Sequence, residues 1–132
     1  FMNSLFSKKV YIVEGINDEL FLKKLLVNYK KQYHQYSIFQ CYGKPHFIPF
    51  INIFKSLGIE SIPLFDKDDD TNANNIAVND EIKKCRLYLE LNPNLEKEIG
   101  YNGRKTDTPT FISYLDNYNN YEKYKYLVEE VE

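Results

Sequence analysis

Apolar positions recur along this chain in two periods, and the alternation between them lays out the elements. Lys9 to Val13 is a short β-branched and aromatic run stopped by Glu14-Gly15, and Phe21, Leu22, Leu25, Leu26 and Tyr29 follow at helical spacing. This predicts a strand, a turn and a helix from Asn17 to about Tyr33. Asn17 can cap that helix, and Asp18 and Glu19 in its first turn suit the positive end of the dipole. Tyr36 to Cys41 reads as a second strand, ended by Tyr42-Gly43-Lys44-Pro45. From about His46 to Leu57 the stripe Phe47, Phe50, Ile51, Phe54, Leu57 predicts a second helix closed by Gly58, with Pro49 tolerated in its first turn. Ser61 to Phe65 is the third strand, and the acidic run Asp66 to Asp70 follows at once.

Thr71 to Asn79 is rich in Asn and has no period, so a surface loop is expected, with a short helical turn from Asp80 to Lys84. Cys85 to Leu91 alternates strictly, which predicts a fourth strand near an edge. Asn92-Pro93-Asn94 breaks it, and Leu95 to Ile99 is a helical turn ended by Gly100. Thr108 as cap and Pro109 at the first helical position start a helix to about Asn117, and a last polar helix is expected from Tyr121 to Val131. The order predicts one α/β domain over residues 1–132, a mainly parallel four-stranded sheet with helices on both faces, Rossmann-like.

Composition narrows this picture. A chain of 132 residues can bury a core without disulfides or a structural metal. Its net charge of −2 is not the footprint of a domain that grips nucleic acid with its own basic surface. Cys41 and Cys85 are too few and too far apart for a zinc cluster, so two buried, reduced thiols in a cytoplasmic protein are expected. The longest apolar runs fall short of the roughly 18 residues of a membrane span. The first strand begins close to Phe1 and no GxxxxGK[ST] loop is present, so the chain reads as a piece of a longer polypeptide, and any nucleotide hydrolysis belongs to another segment.

The chemistry lies where strands finish. The runs VYIVEG (Val10 to Gly15) and IPLFDKD (Ile62 to Asp68) both end on acids, and the crevice at the carboxyl ends of parallel strands is where such folds place their sites. Two carboxylates about 4 Å apart repel by roughly 4 kcal/mol at an effective dielectric of about 20, so a gathered set needs a cation. Asp66 and Asp68, separated by one residue, can offer oxygens to one hard ion.

The segments Val10 to Asp18, Gly43-Lys44 and Leu64 to Asp69 together resemble a Toprim domain, in the version that ends the OLD-family ATP-dependent endonucleases, over about Phe6 to Leu115. The resemblance implies a Toprim-like fold and cleavage of DNA phosphodiester bonds with two Mg2+ or Mn2+ ions. It also implies DNA as partner, an ATPase domain N-terminal to this one, and a homodimer through that missing part as an option. Carried onto this chain, Glu14 fills the glutamate of the first strand end and Asp18 the acid four positions later. Asp66 and Asp68 fill the DxD pair, Glu96 the acid after the fourth strand, and Lys105 the late lysine. Glu14 would then be ligand or general base, and Lys105 would stabilise charge building on phosphate.

Plainer readings stand beside these. Asp18 can be only a first-turn acid, Glu14 a solvated residue before a turn, Asp69 and Asp70 loop acids, and Lys105 a lysine facing water. His34 and His46 suit surface or capping roles, and Lys23, Lys24, Lys30 and Lys31 a solvated helix face. The tyrosines from Tyr114 to Tyr126 suit packing of the last helix better than stacking on bases. Phe65-Asp66-Lys67-Asp68 also resembles the nucleophile motif of haloacid-dehalogenase-like phosphatases, with Asp66 attacking phosphate. A non-catalytic metal- and DNA-binding module is the alternative outside enzymes, and a receiver domain a weaker one.

Overall fold

Four strands, β1 (Lys9–Val13), β2 (Ser37–Gln40), β3 (Glu60–Asp66) and β4 (Leu89–Leu91), pair in parallel in the order β2-β1-β3-β4. They belong to a computed structural model that describes residues 9–29, 37–68 and 71–129. Lys30, Lys31, His34, Asp69, Asp70, the far end of the first predicted helix and the tail of the last lie outside the described residues. Because β1 and β3 are central and covered on both faces, they read as nearly continuous apolar runs.

One face of the sheet, with Tyr11, Val13, Ile62 and Leu64, packs on α1 (Ile16–Tyr29), α4 (Leu95–Ile99), α5 (Thr108–Asn117) and α6 (Tyr126–Glu129). The opposite face, with Val10, Ile12 and Phe65, packs on α2 (Phe47–Ser56) and α3 (Ala73–Ile82). This is the expected parallel sheet with helices on both sides. Gly58 and Gly100 end α2 and α4 at φ of 75° and 81°, conformations that only glycine adopts freely.

The structure corrects several expectations. The Asn-rich stretch expected as a loop from Thr71 to Asn79 is mostly α3, capped by Asn72, whose side chain accepts from the Asn75 amide. The strand expected over Cys85 to Leu91 shortens to Leu89–Leu91, because the Cys85 amide donates to Ile82 O at 3.1 Å and folds the chain into a turn first. It is an edge strand, as expected. Asp107, not Thr108, caps α5 and accepts from the Thr110 amide. Asn17 is inside α1 rather than its cap; His46, exposed at the start of α2 with its Nδ1 2.6 Å from Cys41 O, keeps the surface role expected of it without capping through its side chain. Both cysteines are free, Cys41 buried and Cys85 only half-buried.

The last helix is neither long nor polar. It is a 3-10 turn (Tyr121–Tyr124) followed by α6, and Tyr121, Tyr124, Leu127 and Val128 are buried. The Phe21 ring lies 5.6 Å from Tyr121 and 5.2 Å from Tyr124, and Tyr11 Oη, inside the core, donates to Leu127 O at 2.8 Å. These tyrosines pack the core.

Candidate functional site

The strand order reverses between β1 and β3, whose carboxyl ends therefore open the crevice that such sheets use for ligands. Val13 is level with Leu64, so Glu14 leaves β1 close to where Asp66 ends β3. One oxygen of each, Glu14 Oε2 and Asp66 Oδ1, is buried with no hydrogen-bond partner. Asp18 stands in the first turn of α1, 8% exposed, and its Oδ2 accepts from the Gly15 amide at 3.2 Å. That bond is the returning half of a capping box. The dipole reading of Asp18 and the site reading thus both hold.

The electrostatics tie these acids together. Burial, with the charges of Glu14 and Glu96 added, pushes Asp18 up to about 7. Burial, with the charges of Asp18 and Glu14 and a hydrogen bond to Glu14 added, pushes Asp66 up to about 8. Carboxyls that share a desolvated site cannot all ionise, and the ones that stay protonated mark where positive charge is short.

Glu96, in the first turn of α4, is buried. Its Oε2 accepts from Asn17 Nδ2 at 3.0 Å, and its Oε1 stands 3.6 Å from Lys105 Nζ. The same Asn17 amide donates to Lys105 O at 3.0 Å, so one side chain in α1 anchors both residues at the crevice. The Lys105 side chain itself is 62% exposed.

The DxD turn is held by backbone and by α3. Lys67 N donates to Leu91 O at 2.7 Å and Asp68 N to Pro93 O at 2.9 Å. Asn75 and Asn79 both donate from Nδ2 to Lys67 O, at 2.7 and 3.0 Å. Asp68 has a φ of 57° and is half-exposed, its Oδ2 2.8 Å from Lys44 Nζ. Lys44 also donates to Asp66 O and to Asn75 Oδ1. Of the basic stretch on α1, Lys23 is paired with Glu19 at 2.7 Å and Lys24 with Asp116 at 3.1 Å, which favours the surface reading.

All six residues singled out in the sequence therefore lie around one crevice, Glu14, Asp18 and Asp66 innermost, Glu96 beside them, Asp68 and Lys105 toward the rim. Among the described residues, no three His, Cys, Asp or Glu side chains already close on a single point. The donor set nonetheless fits a hard divalent cation, since two buried carboxylate oxygens lack donors and burial with neighbouring acids pushes Asp18 and Asp66 well above the usual carboxylate range. Sequence reasoning took Asn17 only as a cap and Lys44 only as part of the Gly43-Lys44 turn, and missed that with Asn75 and Asn79 they form a polar scaffold. Lys44 had a local signal in the turn Gly43-Lys44 after the second strand; the asparagines had none.

With acids at the ends of neighbouring parallel strands, the chain resembles a Toprim domain in fold and in the placing of its carboxyls. The family model described as the Overcoming lysogenization defect protein-like TOPRIM domain matches residues 5–68, so this part of the chain is similar to that family. Among solved structures, the C-terminal region of the Burkholderia pseudomallei OLD protein is similar in fold, with a TM-score of 0.56 at 15% identity over 94% of this chain and 81% of that one. The C-terminal region of the Xanthomonas campestris pv. campestris OLD protein is similar with a TM-score of 0.51 at 14% identity, over 96% and 80%. A search of curated proteins gave no match. No helix among the described residues is long and apolar enough to cross a membrane.

Proposed function

We propose that this chain is the nuclease domain of an OLD-type protein, a divalent-metal-dependent DNA endonuclease. The observation that carries the reading is the meeting of Glu14, Asp18 and Asp66 at the switch point, with two buried oxygens unpartnered. Glu14, Asp18, Asp66, Asp68 and Glu96 would hold Mg2+ or Mn2+, two ions in the reading taken from the resemblance. Bound there, such ions would lower the pKa of a water and neutralise charge on the scissile phosphate. Glu14 serves as ligand or as acceptor of the water's proton, its backbone fixed at the end of a central strand. Lys105, exposed at the rim and tethered through its carbonyl to Asn17, offers its ammonium to charge building on the phosphate. Asn17 keeps Glu96 aimed into the crevice.

With a net charge of −2, the domain needs help to grip DNA, and an ATPase segment N-terminal to it in the same cytoplasmic protein, which could also bring two copies together, would supply that help. The test is nicking of supercoiled plasmid in Mg2+ and in Mn2+ by this chain and by Asp66→Ala purified identically. Metal-dependent nicking lost in the variant is expected. Intact plasmid with a phosphoaspartate at Asp66 would favour a phosphatase instead, and metal binding without nicking, even when an OLD ATPase segment is restored, a non-catalytic module.

A further inference from the structure

We infer that Lys44 is the resident cation of the acid cluster, holding Asp68 in the metal-free protein, and that a divalent ion using Asp68 has to displace it. The inference rests on the metal reading above. An ammonium has three donors, and Lys44 Nζ finds three acceptors: Asp68 Oδ2 at 2.8 Å, Asn75 Oδ1 at 2.9 Å and the Asp66 carbonyl. Its side chain is only 10% exposed, whereas Lys105, which pairs with Glu96 at 3.6 Å, is 62% exposed. Lys44 is therefore a desolvated charge with a full set of partners, and Lys105 is a surface cation beside the cluster.

Both ends of the Lys44 contact are fixed by backbone. Tyr42 and Gly43 take φ of 58° and 128°, and the turn Lys44–His46 closes with His46 N donating to Gly43 O at 3.1 Å. Asp68 is held at φ 57° with its amide on Pro93 O. An ammonium and a divalent ion on the same carboxylate repel each other, and the repulsion is largest where water is excluded. Lys44 and the metal thus compete for Asp68. The same lysine holds the Asp68 side chain and the Asp66 carbonyl when no metal is bound.

Two measurements test this. Calorimetric titration of Mn2+ into the full chain compares wild type, Lys44→Gln, Lys44→Arg and Asp66→Ala at one pH. Lys44→Gln is expected to bind Mn2+ about fivefold tighter or more, and Lys44→Arg within about twofold of wild type, because only the first removes the competing charge. A structural role alone would weaken binding in the Gln variant. In the second measurement, acetylation of wild-type lysines read by mass spectrometry is expected to rise at Lys44 by roughly threefold or more when Mn2+ is added, as a freed amine is the reactive one. This readout needs no variant to fold. Equal or weaker Mn2+ binding by Lys44→Gln, or unchanged reactivity of Lys44, would overturn the inference while leaving the metal site standing. Undiminished Mn2+ binding by Asp66→Ala would instead overturn the metal reading beneath it.

Discussion

Asp18 and Asp66 are carboxyls made reluctant to ionise by burial and by one another, and this sets how the domain responds to pH. Their folded values, about 7 and about 8, lie above the ordinary aspartate value of 3.8. The folded state therefore binds more protons than the unfolded chain from about pH 4 to 8, and stability contributed by these groups falls as pH rises through that window. Urea denaturation of the metal-free chain should show stability declining from about pH 5 to 8, and Asp66→Asn should flatten the decline and be the more stable protein at about pH 8. A wild-type profile that rises over the same range would contradict the coupling. At this scale the sequence was informative wherever position and chemistry coincide locally: Glu14, Asp66 and Asp68 each follow an apolar run. Asn17 was not legible as an anchor, because its partner Glu96 is 79 positions away and an Asn at a helix start looks like a cap.

Helix α3 shows where a periodic reading fails for a physical reason. Only Asn79 and Ile82 are buried along it, so it carries no apolar stripe to see. Besides Ile82 and Val78, which pack on the sheet, what holds it is polar: the Asn72 cap, and Asn75 and Asn79 bonded to the Lys67 carbonyl of the DxD turn. Replacing the cap, Asn72→Ala, should cost about 1 kcal/mol of stability in chemical denaturation. Because α3 braces the turn, the same variant should bind Mn2+ more weakly by calorimetry; unchanged stability and affinity would show that the helix braces nothing. By contrast α1 and α2 follow their helical periods, and β1 and β3 stand where the sequence runs continuously apolar. The fourth strand was overread because alternation persists through residues that a turn has already claimed.

On the scale of the whole molecule, the order β2-β1-β3-β4 converts four scattered sequence features into one site. Glu14 comes from the end of β1, Asp18 from α1, Asp66 and Asp68 from β3 and its turn, and Glu96 from α4. The parallel sheet was legible from element order, and the match to the OLD-like TOPRIM family model falls on residues 5–68, the stretch that holds the first three of those acids and Asp68. Glu96 and Lys105 were placed through resemblance, since neither stands in a patterned stretch, and the fold sets both at the crevice through Asn17. The most direct measurement is electron paramagnetic resonance of Mn2+ titrated with this chain and with Asp66→Asn, in which bound ions leave the free-ion signal. The account predicts loss of free Mn2+ signal with wild type and none with the variant. Signal loss that is equal in both proteins, or absent from both, would contradict a metal site built on Glu14, Asp18 and Asp66.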